Sequence, residues 1–274
     1  MVIPARYGSR RLPGKVLANE TGKYLVQHVW EAVVGCPGVS RVIIATDSEV
    51  VCEAARSFGA DCEMTSAAHV SGTDRVAEVA RDLSEELIIN IQADEPHISH
   101  SDIKELIDLF DTDGECFAGG RVDMTTLVVR RTDPEGFHDP NIVKAVFGQD
   151  GRALYFSRSP APYPAVEENS GSGESSGTEW WHHLGVYGYL KDFLRRFSAM
   201  EPTPLEQRER LEQLRALGNG AVIRVGLAAG RRGHGTQMGI DTPEEYRNFV
   251  EEYRRSGESP GQPVKDASSG RQVV

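Results

Sequence analysis

The first half of the chain repeats one unit: a short apolar run without polar alternation, then a segment of helical period. Met1 to Ala5, Arg41 to Asp47 and Leu87 to Gln92 are the runs, and Asp61 to Thr65 reads as a further short strand. Between them, Lys23 to Val34 carries Leu25, Val29, Ala32 and Val33 at helical spacing, and Glu49 to Phe58 reads as a helix stopped by Gly59. Thr73 to Leu83 is helical, and Ile103, Leu106, Ile107 and Phe110 form one helix face behind a Ser99/Ser101 cap. A strand that is apolar throughout has to be covered on both sides. Strand–helix alternation therefore predicts an α/β fold, a doubly wound and mostly parallel sheet. Ligands of such sheets bind at the carboxyl ends of the strands. Here those ends carry Arg6 and the loop after it, Thr46-Asp47, and Gln92-Ala93-Asp94-Glu95.

The second half changes character. Asp123 to Arg130, Ile142 to Phe147 and Arg152 to Ser157 read as strands, the last two joined by a turn at Gln149-Asp150-Gly151. Val166 to Glu179, rich in Ser, Gly and Glu, is expected to be a mobile loop. His183 to Leu190 is a strand, Lys191 to Ala199 a helix, Pro204 to Leu217 a second helix stopped by Gly218, and Ala221 to Ala228 a strand. Pro243 opens a last helix with Tyr246, Phe249, Val250 and Tyr253 on one face. The chain is expected to form one domain over 1–255, with a disordered tail over 256–274. The Trp180-Trp181 pair reads equally as core or as an interface anchor.

Net charge is −11, so the chain is a poor general binder of nucleic acid or anionic membranes, and any cluster of cations stands out. No run approaches the ~18 apolar residues of a membrane span. Met1 to Arg6 lacks the apolar stretch of a signal peptide, which makes the cytoplasm the expected location. Cys36, Cys52, Cys62 and Cys116 form no CxxC pair and read as buried thiols. His97 and His100 lack a third ligand at useful spacing and are not read as a metal site.

Four cations lie in Arg6-Tyr7-Gly8-Ser9-Arg10-Arg11-Leu12-Pro13-Gly14-Lys15, directly after the first strand. Glycines let backbone N–H groups approach an anion, so this loop is read as phosphate-binding. It is not a P-loop, because Val16 stands where a magnesium-ligating hydroxyl would be. Ser71-Gly72-Thr73-Asp74-Arg75 opens a helix and reads either as a cap or as a second N–H cradle. Asp94 and Asp241 each sit at a strand end or loop, and two carboxylates plus phosphate oxygens are the usual holders of Mg²⁺. Asp241 reads alternatively as a cap before Pro243. His182 to Tyr189 and the Pro202 to Arg215 stretch, with Glu212, Gln213 and Arg215, offer polar side chains to a sugar pocket or to structure alone.

Taken in order, these stretches resemble the CMP-Kdo synthetase (3-deoxy-manno-octulosonate cytidylyltransferase) family. The matching pieces are Ile3 to Ser9, Leu12-Pro13-Gly14-Lys15, Ala45-Thr46-Asp47, His69 with Ser71 to Arg75, Gln92 to Pro96 and Pro140 to Lys144. They continue with Leu154 to Arg158, His183 to Tyr189, Pro202 to Glu206, Leu211 to Arg215 and Asp241 to Glu245, covering residues 1 to about 250. The resemblance implies a nucleotide-diphospho-sugar-transferase-like fold with a smaller β-rich subdomain, about 122–217, for dimerisation and sugar capping. It implies joining of CTP to Kdo, the acidic eight-carbon sugar of lipopolysaccharide, to give CMP-Kdo and pyrophosphate. Arg6, Arg11 and Lys15 would neutralise the triphosphate, assisted by Ser9, while Asp94 and Asp241 hold Mg²⁺. Arg11, Lys15, Asp94 and Asp241 would form the catalytic set. Ser71, Gly72, Thr73 and Arg75 would lie near cytosine and ribose. Gln92, Arg158, His183, Tyr187, Glu206 and Gln213 would face the sugar, in a homodimer.

Four positions depart from the family pattern. Ala93 stands where the family has glycine, and a positive φ there would cost alanine about 1 kcal/mol. Arg10 replaces a small hydroxyl residue, Arg231 to His234 reads as an insertion, and the family's extra strand residues would lie upstream of Met1. Two other readings stay open: a cytidylyltransferase for 8-amino-Kdo or another acidic sugar, and a CTP-binding homologue without turnover.

Overall fold

The computed structural model describes residues 1–8, 12–111, 121–163, 179–228 and 239–256. Strands β1 (Val2–Pro4), β2 (Ile43–Thr46), β3 (Asp61–Met64) and β4 (Leu87–Asn90) alternate with helices α1 (Leu25–Val33), α2 (Glu49–Ser57) and α3 (Gly72–Ala80), and α4 (His100–Asp108) follows β4. The four strands run parallel in the order β3-β2-β1-β4. Consecutive residues of the inner strands feed opposite layers. Val2, Ile43 and Ile88 pack with Val76 and Val79 of α3, whereas Ile3, Ile44 and Ile89 pack with α1, α2 and α4 through Val29, Val51 and Ile103. Burial on both faces is the physical reason that these runs show no polar alternation.

The second half joins the same sheet. It supplies β5 (Met124–Arg131), the hairpin β6 (Lys144–Phe147) and β7 (Ala153–Ser157), the long β8 (Trp180–Leu190) and β9 (Ile223–Leu227). Strand β8 inserts antiparallel between β4 and β5, and β9 pairs parallel to β5. The β6–β7 hairpin hangs off the outer part of β8, where Lys144 pairs with His182. Trp180 is wholly buried and donates its indole N–H to the Asp133 carbonyl at 3.1 Å, so it is core; Trp181 is half-buried.

Several expectations are corrected. Strand β8 begins at Trp180 rather than His183. The single helix expected over Pro204 to Leu217 is two, α7 (Pro204–Glu209) and α8 (Gln213–Gly218), broken where Arg210 takes a left-handed conformation. The short helices α5 (Pro134–His138) and the 3₁₀ turn Lys15–Leu17 had no periodicity to reveal them. Between β8 and α7 lies α6 (Lys191–Ser198), as expected, and α9 (Pro243–Ser256) takes in Ser256. Cys36 and Cys52 are buried but Cys62 is only partly so, while Cys116 lies outside the described residues. Arg210 is the only non-glycine with positive φ among the described residues, so Ala93, buried in the α1/α4 layer, bears no such strain. The expected mobile loop and tail, and Arg231 to His234, fall outside the described residues except at Glu179 and Ser256.

Candidate functional site

The loop after β1 closes on itself before it reaches Lys15. Gly14 N–H donates to the Tyr7 carbonyl at 3.3 Å, and Gly14 adopts φ 67°, a left-handed conformation that suits glycine. This launches the turn Lys15–Leu17 and buries the lysine side chain to 9% exposure. Its ammonium lies 2.6 Å from Asp94 Oδ2 and 3.0 Å from Asp241 Oδ1. Burial alone would lower the Lys15 pKa, but Asp94, and then Asp241, outweigh it and hold it above the ordinary lysine value.

Two local devices bring the carboxylates there. The loop after β4 receives the Ile240 N–H on the Asp94 carbonyl at 3.0 Å, which pins the two acidic segments together. Helix α9 is capped by Thr242, whose hydroxyl accepts from Glu245 N–H at 3.2 Å, while the Glu245 carboxylate takes the Asp241 and Thr242 N–H groups. Asp241 is therefore not the cap, and its side chain is available to Lys15. Tyr246, Phe249 and Val250 anchor α9 on Leu25 of α1 and on Leu12. Burial of an apolar side chain of this size contributes about 1.5–3 kcal/mol.

Both carboxylates converge on one ammonium, so they already lie within reach of a single cation. Among the described residues no cluster of three or more His, Cys, Asp or Glu side chains could cage a metal. Two hard carboxylates without a cage fit a divalent cation that takes its remaining ligands from phosphates and water.

Next to this triad opens a cleft of about 740 Å³. Arg158, His183, Tyr187, Gln213 and Asp241 line it. Its floor is shaped by a bulge in β8: Thr126 faces Tyr187 but Leu127 faces Leu184, so Gly185 and Val186 are extra. Thr126 Oγ1 fills the bulge, 3.1 Å from the Leu184 carbonyl, 2.9 Å from that of Val186 and 3.0 Å from His183 Nε2. Gln213 Nε2 lies 3.5 Å from His183 Nδ1, and Gln213 Oε1 accepts from the Tyr187 hydroxyl at 3.4 Å. Donors and acceptors match along this chain if His183 is neutral with its proton on Nε2. Burial supports that state by pushing the His183 pKa down to about 3 and the Tyr187 pKa up.

Helix α3 begins at the same end of the sheet. Ser71 caps it and forms a capping box with Asp74. Gly72 approaches β1 so closely that a Cβ would meet Gln92 Oε1 at 3.3 Å and Pro4 Cγ at 3.4 Å. Gln92 also donates to Asn90 Oδ1 at 3.0 Å. Thr73 Oγ1 donates to Glu212 Oε2 at 2.6 Å, which ties α3 to the start of α8. Burial raises the Glu212 pKa, with the Thr73 hydrogen bond acting against it.

The expected site residues thus fall into groups. Lys15, Asp94 and Asp241 meet. Arg158, His183, Tyr187 and Gln213 share the cleft wall with Asp241. Ser71, Gly72, Thr73 and Gln92 gather at the start of α3. Arg6 is exposed at the end of β1, and Ser9 and Arg11 lie outside the described residues. Arg75 is buried behind this face, bonded to Asp47 Oδ2 at 2.8 Å and to Thr65. Glu206 is not in the cleft wall; it caps α7 with Thr203 and holds Arg215 at 2.6 and 2.9 Å. Thr126 had no signal, because its strand reads as an ordinary β-branched run. Glu212 was visible only as one more polar residue of a presumed single helix.

The cytidylyltransferase family profile matches residues 1–224. A 3-deoxy-manno-octulosonate cytidylyltransferase of Geobacter metallireducens is 44% identical over 93% of this chain and 97% of its own. Its Geobacter sulfurreducens counterpart is 42% identical over 92% and 98%. Among solved structures, CMP:2-keto-3-deoxy-manno-octonic acid synthetase complexed with CTP superposes with a TM-score of 0.81 at 36% identity, covering 93% of this chain and 98% of that one. An inositol-1-phosphate CTP transferase from T. maritima, at 14% identity and TM-score 0.61, shares the fold. Matched over nearly its whole length by such relatives, the chain belongs to the cytidylyltransferase family, among the 3-deoxy-manno-octulosonate cytidylyltransferases.

Proposed function

We infer that this chain activates Kdo with CTP, giving CMP-Kdo and pyrophosphate, with Mg²⁺ as the metal. The observation that carries this reading is the convergence of Lys15, Asp94 and Asp241 at the strand ends, directly beside a polar cleft. CTP and an acidic sugar repel one another, so the site has to concentrate cationic charge in a chain of net charge −11. Lys15 would leave its carboxylates for the triphosphate, with Arg6, Arg11 and Ser9 completing the phosphate loop. Asp94 and Asp241 would hold the magnesium ion, which when bound neutralises phosphate charge. Ser71, Gly72 and Thr73 would border the cytidine, and Arg75 would brace them from behind. Arg158, His183, Tyr187 and Gln213, with Gln92 at the edge, would orient the sugar so that its anomeric hydroxyl attacks the α-phosphorus in line and pyrophosphate leaves. The product would be made in the cytoplasm for lipopolysaccharide assembly.

The test is pyrophosphate release from CTP and Mg²⁺, with and without Kdo. Release that needs Kdo and fails with UTP or in EDTA is the expected result. Release with 8-amino-Kdo or a sialic acid in preference to Kdo would sink the substrate assignment, and CTP binding without release would sink the catalytic one. Lys15→Ala is expected to raise the KM for CTP by roughly tenfold or more and to affect Kdo less. The opposite order in steady-state kinetics would mean that the phosphate loop is misassigned.

The same reading includes a homodimer built on the second-half strands. Leu154 on β7 and Tyr163 just beyond it are 61% and 88% exposed, large apolar side chains that a partner would cover. Sedimentation velocity is expected to give twice the 30.1 kDa chain mass, and a monomer at micromolar concentration would reject the pairing.

A further inference from the structure

Glu209 closes α7 and does not line the cleft, yet two of its hydrogen bonds hold Arg158, which does. Its Oε1 accepts from the Ser157 hydroxyl at 2.9 Å and the Tyr155 hydroxyl at 3.4 Å. Its Oε2 accepts the Arg158 backbone N–H at 2.9 Å, and its carbonyl accepts Arg158 Nε at 2.7 Å. Four hydrogen bonds thus tie one residue to Tyr155 and Ser157 of β7 and to Arg158 just beyond it.

The next residue carries the strain. Arg210 has φ 54° and ψ 47°, a conformation costing a non-glycine residue roughly 1 kcal/mol or more. It persists only where surrounding contacts over-determine it, and on its N-terminal side these are the Glu209 clasp and the bond from Arg210 N–H to the Glu206 carbonyl at 2.6 Å. Immediately after this turn the chain delivers Leu211 and Gln213 to the cleft wall, and Gln213 bonds both His183 and Tyr187. A straight continuation of α7 would carry those side chains elsewhere, because the break at Arg210 resets the direction of the chain.

We propose that Glu209 is a positioning residue for the acceptor sugar, clamping the strained α7–α8 turn to the end of β7 so that Gln213 meets His183 and Tyr187. The proposal rests on the functional reading above for the identity of the sugar, though not for the clamp. It separates two roles across the α7–α8 turn: Gln213 and Arg158 face the cleft, and Glu209 acts through them without touching the sugar.

Steady-state kinetics of E209A, E209Q and R210G test this. E209A is expected to raise the KM for Kdo by about tenfold while the KM for CTP stays within about twofold. E209Q keeps an oxygen for the Arg158 N–H and turns its amide toward the Ser157 hydroxyl, so the KM for Kdo should stay within about threefold of wild type. R210G removes the left-handed penalty without touching the clasp and should change neither KM. If E209A fails to fold, E209D, with the same charge and a shorter reach, is read in its place. A fall in kcat and melting temperature with both KM values unmoved would mean a merely structural role and overturn the proposal. So would a parallel rise in both KM values. If wild-type protein shows no Kdo-dependent release, the functional reading fails instead. Hydrogen exchange at the amides of 210–213 then decides the clamp, and exchange in E209A no faster than wild type would refute it.

Discussion

Asp94→Asn is expected to lower turnover by at least ~10²-fold while leaving the fold intact. The substitution keeps the shape of the side chain and removes its charge. Asp94 is the nearer of the two carboxylates on Lys15, and the buried ammonium keeps Asp241 at 3.0 Å as its counter-charge after the change. On the proposed reading, what would be lost is one of two anionic oxygen ligands, in a site that, among its described residues, has no third to substitute. The loss should fall on kcat, because charge develops on the phosphates during transfer. Single-turnover measurement of CMP-sugar formation checks this, with circular dichroism as the control for folding. Turnover within about threefold of wild type would remove Asp94 from the metal-holding role.

Lys144→Met is expected to destabilise the protein by about 3 kcal/mol, without any lysine-specific chemistry being involved. Lys144 is wholly buried, and its ammonium is held by the carbonyls of Asp139, Ile142 and Arg158 at 2.8, 2.7 and 3.0 Å. Burial lowers its pKa, against a smaller opposing effect from Asp139. Methionine fills the same channel but leaves three inward-facing carbonyls without a donor, each costing about 1–3 kcal/mol. Relief from holding a charge out of water offsets part of that. The melting midpoint should fall by roughly 6–10 °C. An unchanged midpoint would show that the carbonyls find other donors. Lys104→Met, on the exposed face of α4, is the matched control and should leave the midpoint in place.

The alternating half of the fold was legible because its physics is local. Apolar runs at Arg41 to Asp47 and Leu87 to Gln92 contain β2 and β4, and Ser99 caps α4 as its position suggested. The break at Arg210 was not legible, because no glycine, asparagine or proline interrupts the run from Leu205 to Leu217, and the left-handed residue is itself an arginine. Its cause is the contact between Glu209 and β7, fifty residues away in sequence. Asp94 and Asp241 were readable as acids at loop positions, but nothing local says that they meet on Lys15. The Thr126-filled bulge likewise depends on two strands coming together. Single residues with chemical character were visible, whereas the bonds that aim them are long-range.

Strand β8 also constrains how such a protein can change over evolutionary time. Its Tyr187 to Leu190 end is hydrogen-bonded to β4, the strand that leads into Asp94, whereas its His182 end is bordered by β5 and the β6–β7 hairpin. On the proposed reading, drift at the first end beyond Tyr187 would disturb the reaction centre, whereas drift at the second would reshape the receptor for the sugar and leave the phosphate chemistry alone. A lineage adapting to a new acidic sugar would therefore accumulate its substitutions along the hairpin and the outer part of β8, with the β4 border held constant.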